Sequence, residues 1–249
     1  MQSCRTTQDS CHDMTKVAII PARGGSKRIP RKNIRLFHGR PMLAYSIAAA
    51  KACGLFDRIV VSTDDAEITA LALSLGAEVP FTRPAELADD HTTTIAVIQH
   101  AIAALQAAGE PVEMACCIYA TAPFVQAQYL RAGHAALSAR TDKAYAFSVT
   151  SFPFPVQRAI RLDQDGCVDA LYPEYRNTRS QDLEEAYHDA GQFYWGRAEA
   201  WLRGEVIFSP ASLPVILPRY LVQDIDTTED WQRAEYLYGA LLAGGEIQP

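Results

Sequence analysis

The stretch Val17-Ala18-Ile19-Ile20-Pro21-Ala22-Arg23-Gly24-Gly25-Ser26-Lys27-Arg28-Ile29-Pro30-Arg31-Lys32-Asn33 begins as a strand and ends as a basic loop. Four successive apolar residues, Val17 to Ile20, suit a strand covered on both faces, as in the parallel sheets of α/β proteins, where the carboxyl ends of the strands open on the ligand crevice. What arrives at that end is Gly24-Gly25 and charge: Arg23, Lys27, Arg28, Arg31 and Lys32 put five cations within ten residues. The glycines let the backbone turn and present its N–H groups, Arg forks onto phosphate oxygens, and Lys acts as a point charge. Such chemistry points to a polyphosphate. The loop is nevertheless neither G-x-x-x-x-G-K-[ST] nor G-x-G-x-x-G, and a solvated basic loop behind a core strand is the alternative reading.

The remainder of the chain sets limits on that idea. Its 249 residues are enough for one α/β domain with an insertion, and 49% hydrophobic against 21% charged residues describes a packed core rather than disorder. A net charge of −6 leaves no broad basic face for nucleic acid, so the basic loop is a local exception. The six cysteines include no C-x-x-C and no Cys/His group at zinc spacing, which suits a reducing compartment. No apolar run approaches the roughly 20 residues of a membrane span, and the N-terminus lacks the apolar core of a signal peptide. A cytoplasmic protein without membrane contact is expected, with residues 1–14 as a flexible extension ahead of a domain at 15–249.

Periodicity supplies the elements. A helix over 41–53, stopped by Gly54, and a buried strand over 57–64 make a βαβ unit with the first strand, and Asp64 or Asp65 can cap the helix that follows over 66–75. A short strand at 76–79, a helix at 95–108, strands at 116–119 and 143–150, and a helix at 129–140 continue the alternation. Residues 151–183 break it, since Pro153, Pro155, Pro173 and the turn-like Asp163-Gln164-Asp165-Gly166 read as a hairpin arm leaving the sheet. In Leu221 to Asp230, period-two geometry would put Asp224 and Asp226 on one face of a strand, where repulsion is costly unless a cation or hydrogen bonds intervene; Mg²⁺, with its preference for a carboxylate or two plus phosphate oxygens, is the natural cation. Thr227-Thr228-Glu229-Asp230 reads equally as the cap of a last helix at 231–242. The fold expected is a Rossmann-like, mostly parallel sheet flanked by helices, with a small excursion.

Ile20-Pro21-Ala22-Arg23-Gly24-Gly25-Ser26-Lys27, continued by Ile29-Pro30 and Lys32-Asn33, resembles the N-terminal signature of the CMP-sialic acid synthetases, the acylneuraminate cytidylyltransferases. The resemblance implies a nucleotidyltransferase-type fold in which Arg23 and Lys27 act on the phosphates of CTP, Ala22, Gly24, Gly25 and Ser26 line the nucleotide, and Asn33 touches it. Arg83, in an Arg-Pro-x-Glu-Leu pattern, and the hydroxyls of Thr92 and Thr94 take the positions that surround the cytidine; helix capping is the other use of such threonines. Thr121 and Pro123 match a Gln-x-Thr-x-Pro pattern, with Tyr119 standing in the Gln position. Arg179, Gln181, Tyr187, Gly191 and Gln192 are similar to the sugar-binding region, with Arg179 at the place of a functional arginine. There His188-Asp189-Ala190 replaces the residue types of sialic acid enzymes. Together with Tyr119 this looks most like the pseudaminic acid cytidylyltransferases, which carry Arg-Ser-Gln-Asp and Tyr-His-Asp-Ala-Gly-Gln-Phe-Tyr. A structural hydrogen-bonded pair is the other reading of His188-Asp189. Asp224-x-Asp226-Thr227 matches an Asp-x-Asp-Thr that precedes the last helix and holds Mg²⁺, and the excursion is one that pairs two subunits, implying a homodimer.

The expectation is therefore transfer of CMP from CTP to a nine-carbon acidic sugar, with pseudaminic acid favoured and N-acetylneuraminic or legionaminic acid as rivals. A non-catalytic CTP-binding protein on the same scaffold is the alternative of another class. No residue type marks a general base.

Overall fold

The computed structural model describes residues 15–247, so the extension at 1–14 lies outside the described residues. In chain order the elements are β1 (Thr15–Pro21), a small ribbon of β2 (Leu36–Phe37) and β3 (Arg40–Pro41), α1 (Met42–Cys53), β4 (Arg58–Ser62), α2 (Ala66–Ser74), α3 (Thr94–Ala107), β5 (Val112–Ile118), α4 (Ala127–Ser138), β6 (Tyr145–Ser151), β7 (Ile160–Leu162), β8 (Val168–Ala170), β9 (Tyr187–Arg197), α5 (Ala198–Arg203), β10 (Ser212–Ile216) and α6 (Thr228–Ala243). Six strands form one sheet in the order β10-β6-β9-β5-β1-β4. The pairs β1/β4, β1/β5 and β10/β6 are parallel, while β9 runs antiparallel to both β5 and β6. The mostly parallel sheet is thus present, with one reversed strand near its middle.

Val17 to Ile20 of β1 are wholly buried because helices cover both faces. One face packs Leu43 and Ile47 of α1, Ile68 of α2 and Leu130 and Leu137 of α4 over Ile20, Ile118 and Trp195. On the other, Ile98, Ile102 and Leu105 of α3 and Trp201 of α5 lie over Ile19, Cys117 and Tyr194. Trp195 and Trp201 bury their rings without orphaning the indole N–H, which donates to Leu130 O (2.9 Å) and Ala115 O (3.1 Å), respectively. A third cluster joins Ile29 of the basic loop to Phe37, Met42, Tyr45 and Phe124, and to Trp231 and Tyr238 of α6. This cluster fixes the last helix against the back of the loop.

Two expected strands do not form as such. At 76–79 only Glu78 bridges to Val60, and the segment 221–226 has no strand but a 3-10 turn at Arg219–Leu221 followed by extended chain. Glu78 still exchanges backbone hydrogen bonds with Ile59 and Val61 of β4, whereas in 221–226 carbonyls are taken by side chains instead of a neighbouring strand: Gln192 Nε2 donates to Leu221 O and Lys32 Nζ to Ile225 O. The period-two argument for Asp224 and Asp226 does not hold, and Thr227 and Asp230 form the capping box of α6. β5 also begins at Val112, ahead of the expected Cys116. The excursion does carry a hairpin, β7 paired antiparallel with β8; Asp163 Oδ1 accepts the N–H groups of Asp165 (3.0 Å) and Cys167 (2.8 Å) at its turn, where Gly166 has φ +79°.

Candidate active site

The basic loop leaves the carboxyl end of β1 and is held from beneath by residues of β4's end. Gly24 N–H donates to Asp64 Oδ1 (3.0 Å), and buried Asn33 donates its amide to Arg23 O (2.9 Å). Asp65 caps α2 by accepting from Ile68 N–H (2.9 Å) and also takes the guanidinium of Arg31, whose φ of +56° lies in the left-handed region. Hydrogen bonding from Arg31 is the main cause that holds the Asp65 carboxyl down at about 2. Both carboxylates at this strand end therefore act, one on the loop and one on the helix cap. Gly24 leaves no room for a side chain, since a Cβ there would lie 2.6 Å from Asp65 Oδ2; one on Gly25 would meet nothing within 4 Å.

Above the loop is a cleft of about 250 Å³ lined by residues of several separate segments: Arg23, Ser26, Lys27, Arg28, Lys32 and Asn33 from the loop, Arg83, Asp89, Asp90, Thr92 and Thr94 from the approach to α3, Tyr119 and Thr121 after β5, and Asp226 before α6. Arg23 Nη1 donates to Asp89 O (2.7 Å) and pairs with Asp90 Oδ1 (2.7 Å); Lys27 pairs with the other oxygen of Asp90. Arg83 is buried, donates to Ser62 Oγ (3.1 Å) and Ser62 O, and is pushed down to about 10 by burial, against which the Asp64 carboxylate acts. Helix capping falls to Thr93, whose hydroxyl accepts from Ala96 N–H (3.3 Å), which leaves Thr92 and Thr94 to the cleft. Thr92 Oγ1 is bonded to Asp89 Oδ1 (2.7 Å), and Thr94 Oγ1 meets the Tyr119 hydroxyl at 3.1 Å. Ala22, at the end of β1, is buried beneath the loop.

Asp226 faces the loop, its two oxygens taken by Arg28 (2.9 Å) and Lys32 (3.3 Å). Asp224 does not line the cleft. That residue as a whole is exposed, yet its carboxyl is flanked closely enough that desolvation, and then the like charge of Asp226, push it above the ordinary carboxylate range, with Lys32 opposing. Among the described residues no three His, Cys, Asp or Glu side chains converge. A cleft carboxylate beside a second, charge-strained one is nonetheless a donor set that fits Mg²⁺, provided that phosphate oxygens complete the shell.

The expected sugar residues do not all meet in this cleft. Tyr119 and Thr121 line it. Tyr119 packs 5.4 Å from the Tyr194 ring, and Tyr194 donates its hydroxyl to Asp189 Oδ2, while Asp189 Oδ1 accepts Gly191 N–H (2.9 Å). His188 and Asp189 border a second groove of about 470 Å³ with Phe147, Tyr187, Phe208 and Pro214. His188 Nδ1 lies 2.8 Å from Asp189 O and its ring 4.8 Å from Phe152. Gln192 is buried and donates its amide to Leu221 O, which holds the 221–226 segment. Arg179 and Gln181 sit on the exposed arm, where Arg179 pairs with Asp182 (2.7 Å), and neither lines the cleft. Sequence reasoning missed Asp90 and Tyr194. For Asp90 the available signal was an Asp-Asp pair in a chain whose basic residues cluster in one loop.

The family model described as cytidylyltransferase matches residues 17–237. A pseudaminic acid cytidylyltransferase of Campylobacter jejuni subsp. jejuni serotype O:2 is 45% identical over 90% of this chain and 97% of its own length. A CMP-N,N'-diacetyllegionaminic acid synthase of Legionella pneumophila is 30% identical over 90% of this chain and 96% of its own. Among solved structures, a CMP:2-keto-3-deoxy-manno-octonic acid synthetase complexed with CTP has the same fold, with a TM-score of 0.66, 16% identity and coverage of 91% of this chain and 99% of that one.

Proposed function

From a chain that belongs to the cytidylyltransferase family, we propose transfer of CMP from CTP to pseudaminic acid, with release of pyrophosphate. The observation that carries this reading is the cleft itself, where loop cations, a buried arginine, two threonine hydroxyls and a carboxylate from distant parts of the sequence converge at the carboxyl end of β1. The 45% identity to a relative of that name supports the choice of sugar.

In such a reaction the sugar's anomeric hydroxyl attacks the α-phosphorus, and the protein chiefly positions the reactants and stabilises charge on the phosphates. Arg23 and Lys27 hold the outer phosphates and stabilise the leaving pyrophosphate, on a backbone kept in shape by Asn33 and Asp64. Arg83, Thr92 and Thr94 edge the nucleoside side, and Tyr119 and Thr121 stand toward the sugar. Asp226, with Asp224 behind it, would hold Mg²⁺, which when bound neutralises phosphate charge. His188 and Asp189 border the neighbouring groove, with the Asp189 carboxylate already engaged by the Tyr194 hydroxyl and the Gly191 N–H. The arm exposes Phe154, Ile160, Leu162 and Val168, each more than half accessible, an apolar stretch that a second copy of the chain would cover; a homodimer is proposed on that ground.

The test is pyrophosphate release from CTP and Mg²⁺ with pseudaminic acid and N-acetylneuraminic acid offered separately. Release with pseudaminic acid alone is expected. Release only with N-acetylneuraminic acid would keep the chemistry and overturn the sugar assignment, and CTP binding without release would make the chain a binding protein.

A further inference from the structure

We infer that Asp90 is a built-in competitor for the triphosphate, setting how readily the cleft takes polyphosphate and gives pyrophosphate up. The inference rests on the reading of this cleft as the CTP site. Its carboxylate engages both Arg23 (2.7 Å) and Lys27, the two cations assigned to the phosphates. One Asp thus occupies the positions that phosphate oxygens would take.

Asp90 is not a stray surface charge. The turn that presents it is fixed by Asp89, whose Oδ1 accepts the N–H groups of His91 (2.9 Å) and Thr92 (2.7 Å) and the Thr92 hydroxyl (2.7 Å), while the Asp89 carbonyl takes Arg23 itself. A tethered anion held by its own turn competes at a high effective concentration, whatever the concentration of ligand in solution. A carboxylate carries one charge, so a polyphosphate, with several, displaces it. Arg23 and Lys27 are side chains on a loop, and they can follow either partner. The cycle then has a closing step built in: once the α-phosphate has left with the sugar, Asp90 competes with the pyrophosphate that remains and speeds its departure.

The experiment uses the full chain and an Asp90→Asn variant, with pyrophosphate binding measured by titration calorimetry and cytidine as the phosphate-free control. The amide keeps the shape and removes the charge. Pyrophosphate is expected to bind Asp90→Asn about 3- to 10-fold more tightly at low salt, equivalent to about 0.7–1.4 kcal/mol and in the range of one or two solvent-exposed ion pairs. The ratio should shrink toward one in concentrated salt, and cytidine should bind both proteins alike. In turnover assays the variant should be inhibited by pyrophosphate at correspondingly lower concentration. Unchanged or weaker pyrophosphate binding by Asp90→Asn overturns the inference, because Asp90 would then be organising the cations for the ligand or doing nothing to it. An Arg23→Ala variant separates the two levels. If it binds pyrophosphate as well as wild type, the phosphate-site reading itself fails, and the role of Asp90 falls with it.

Discussion

Gly24 and Gly25 look equivalent in the sequence, yet the structure makes opposite demands on them. A Cβ at Gly24 would come within 2.6 Å of Asp65 Oδ2 and 3.0 Å of Asp65 Cβ. Asp65 cannot swing away cheaply, because it caps α2 through Ile68 and receives the Arg31 guanidinium. The methyl group must displace the loop or break one of those bonds. Overpacking of this kind costs about 1–3 kcal/mol, and for a chain of this size each kcal/mol lowers Tm by roughly 2–4 °C. Gly24→Ala should therefore melt roughly 2–12 °C below wild type, while Gly25→Ala, with nothing near its added methyl, should melt within about 2 °C of it. Scanning calorimetry on both variants reads this directly. A double variant tests the cause: Gly24→Ala in an Asp65→Gly background should add less than ~0.5 kcal/mol to the cost of Asp65→Gly alone, since the clashing side chain is gone. Equal destabilisation at the two glycines, or a Gly24→Ala cost that persists without Asp65, would refute the steric argument.

Three further outcomes are expected. Asp226→Asn should lower pyrophosphate release on the order of 100-fold or more with an unchanged far-ultraviolet circular dichroism spectrum, and undiminished release would remove Asp226 from the metal assignment. Because the Asp65 carboxyl is depressed to about 2 in the folded chain, its contribution to stability is complete above its unfolded pKa of ~3.9 and is lost as pH falls toward 2. Denaturant unfolding of Asp65→Asn should accordingly show a shallower acid limb than wild type between about pH 4 and pH 2; parallel limbs would contradict the assignment. Replacing Phe154 and Leu162 together by Asp should shift the sedimentation coefficient from dimer to monomer, whereas a wild-type chain that already sediments as a monomer would dispose of the homodimer proposal.

How much of this was legible beforehand depended on how local the determinants are. β1 and its loop were readable because a run of apolar residues ending in glycine and cations is written within one stretch of chain. The cap at Asp65 was readable for the same reason, and so was the capping box at Thr227 and Asp230. The segment 221–226 was misread as a strand because its carbonyls are satisfied by Gln192 and Lys32, residues about 30 and 190 positions away; alternation in sequence cannot tell a ladder from such props. Similarly, the bond from the buried Gln192 amide to the Leu221 carbonyl has no sequence signature. The pairing of Asp90 with Arg23 and Lys27 spans more than 60 residues, and only the fold brings them together. Arg179 and Gln181 are legible by position in the pattern, but they lie on the exposed arm, outside the lining of the cleft.

The arm leaves the end of β6 and returns at the start of β9, two strands that are neighbours in the sheet, and the pair Ser151↔Tyr187 closes its neck like a clasp. Everything from 152 to 186 therefore hangs on a junction whose geometry is already settled by the strands below it. Lengthening a loop whose ends are pinned costs little, since closure entropy grows only with the logarithm of length. The excursion is in this sense an interchangeable head on a fixed handle. Swapping one arm for another is a route by which a chain of this design can change what it presents beyond the sheet while its cleft, built from segments outside the clasp, stays as it was.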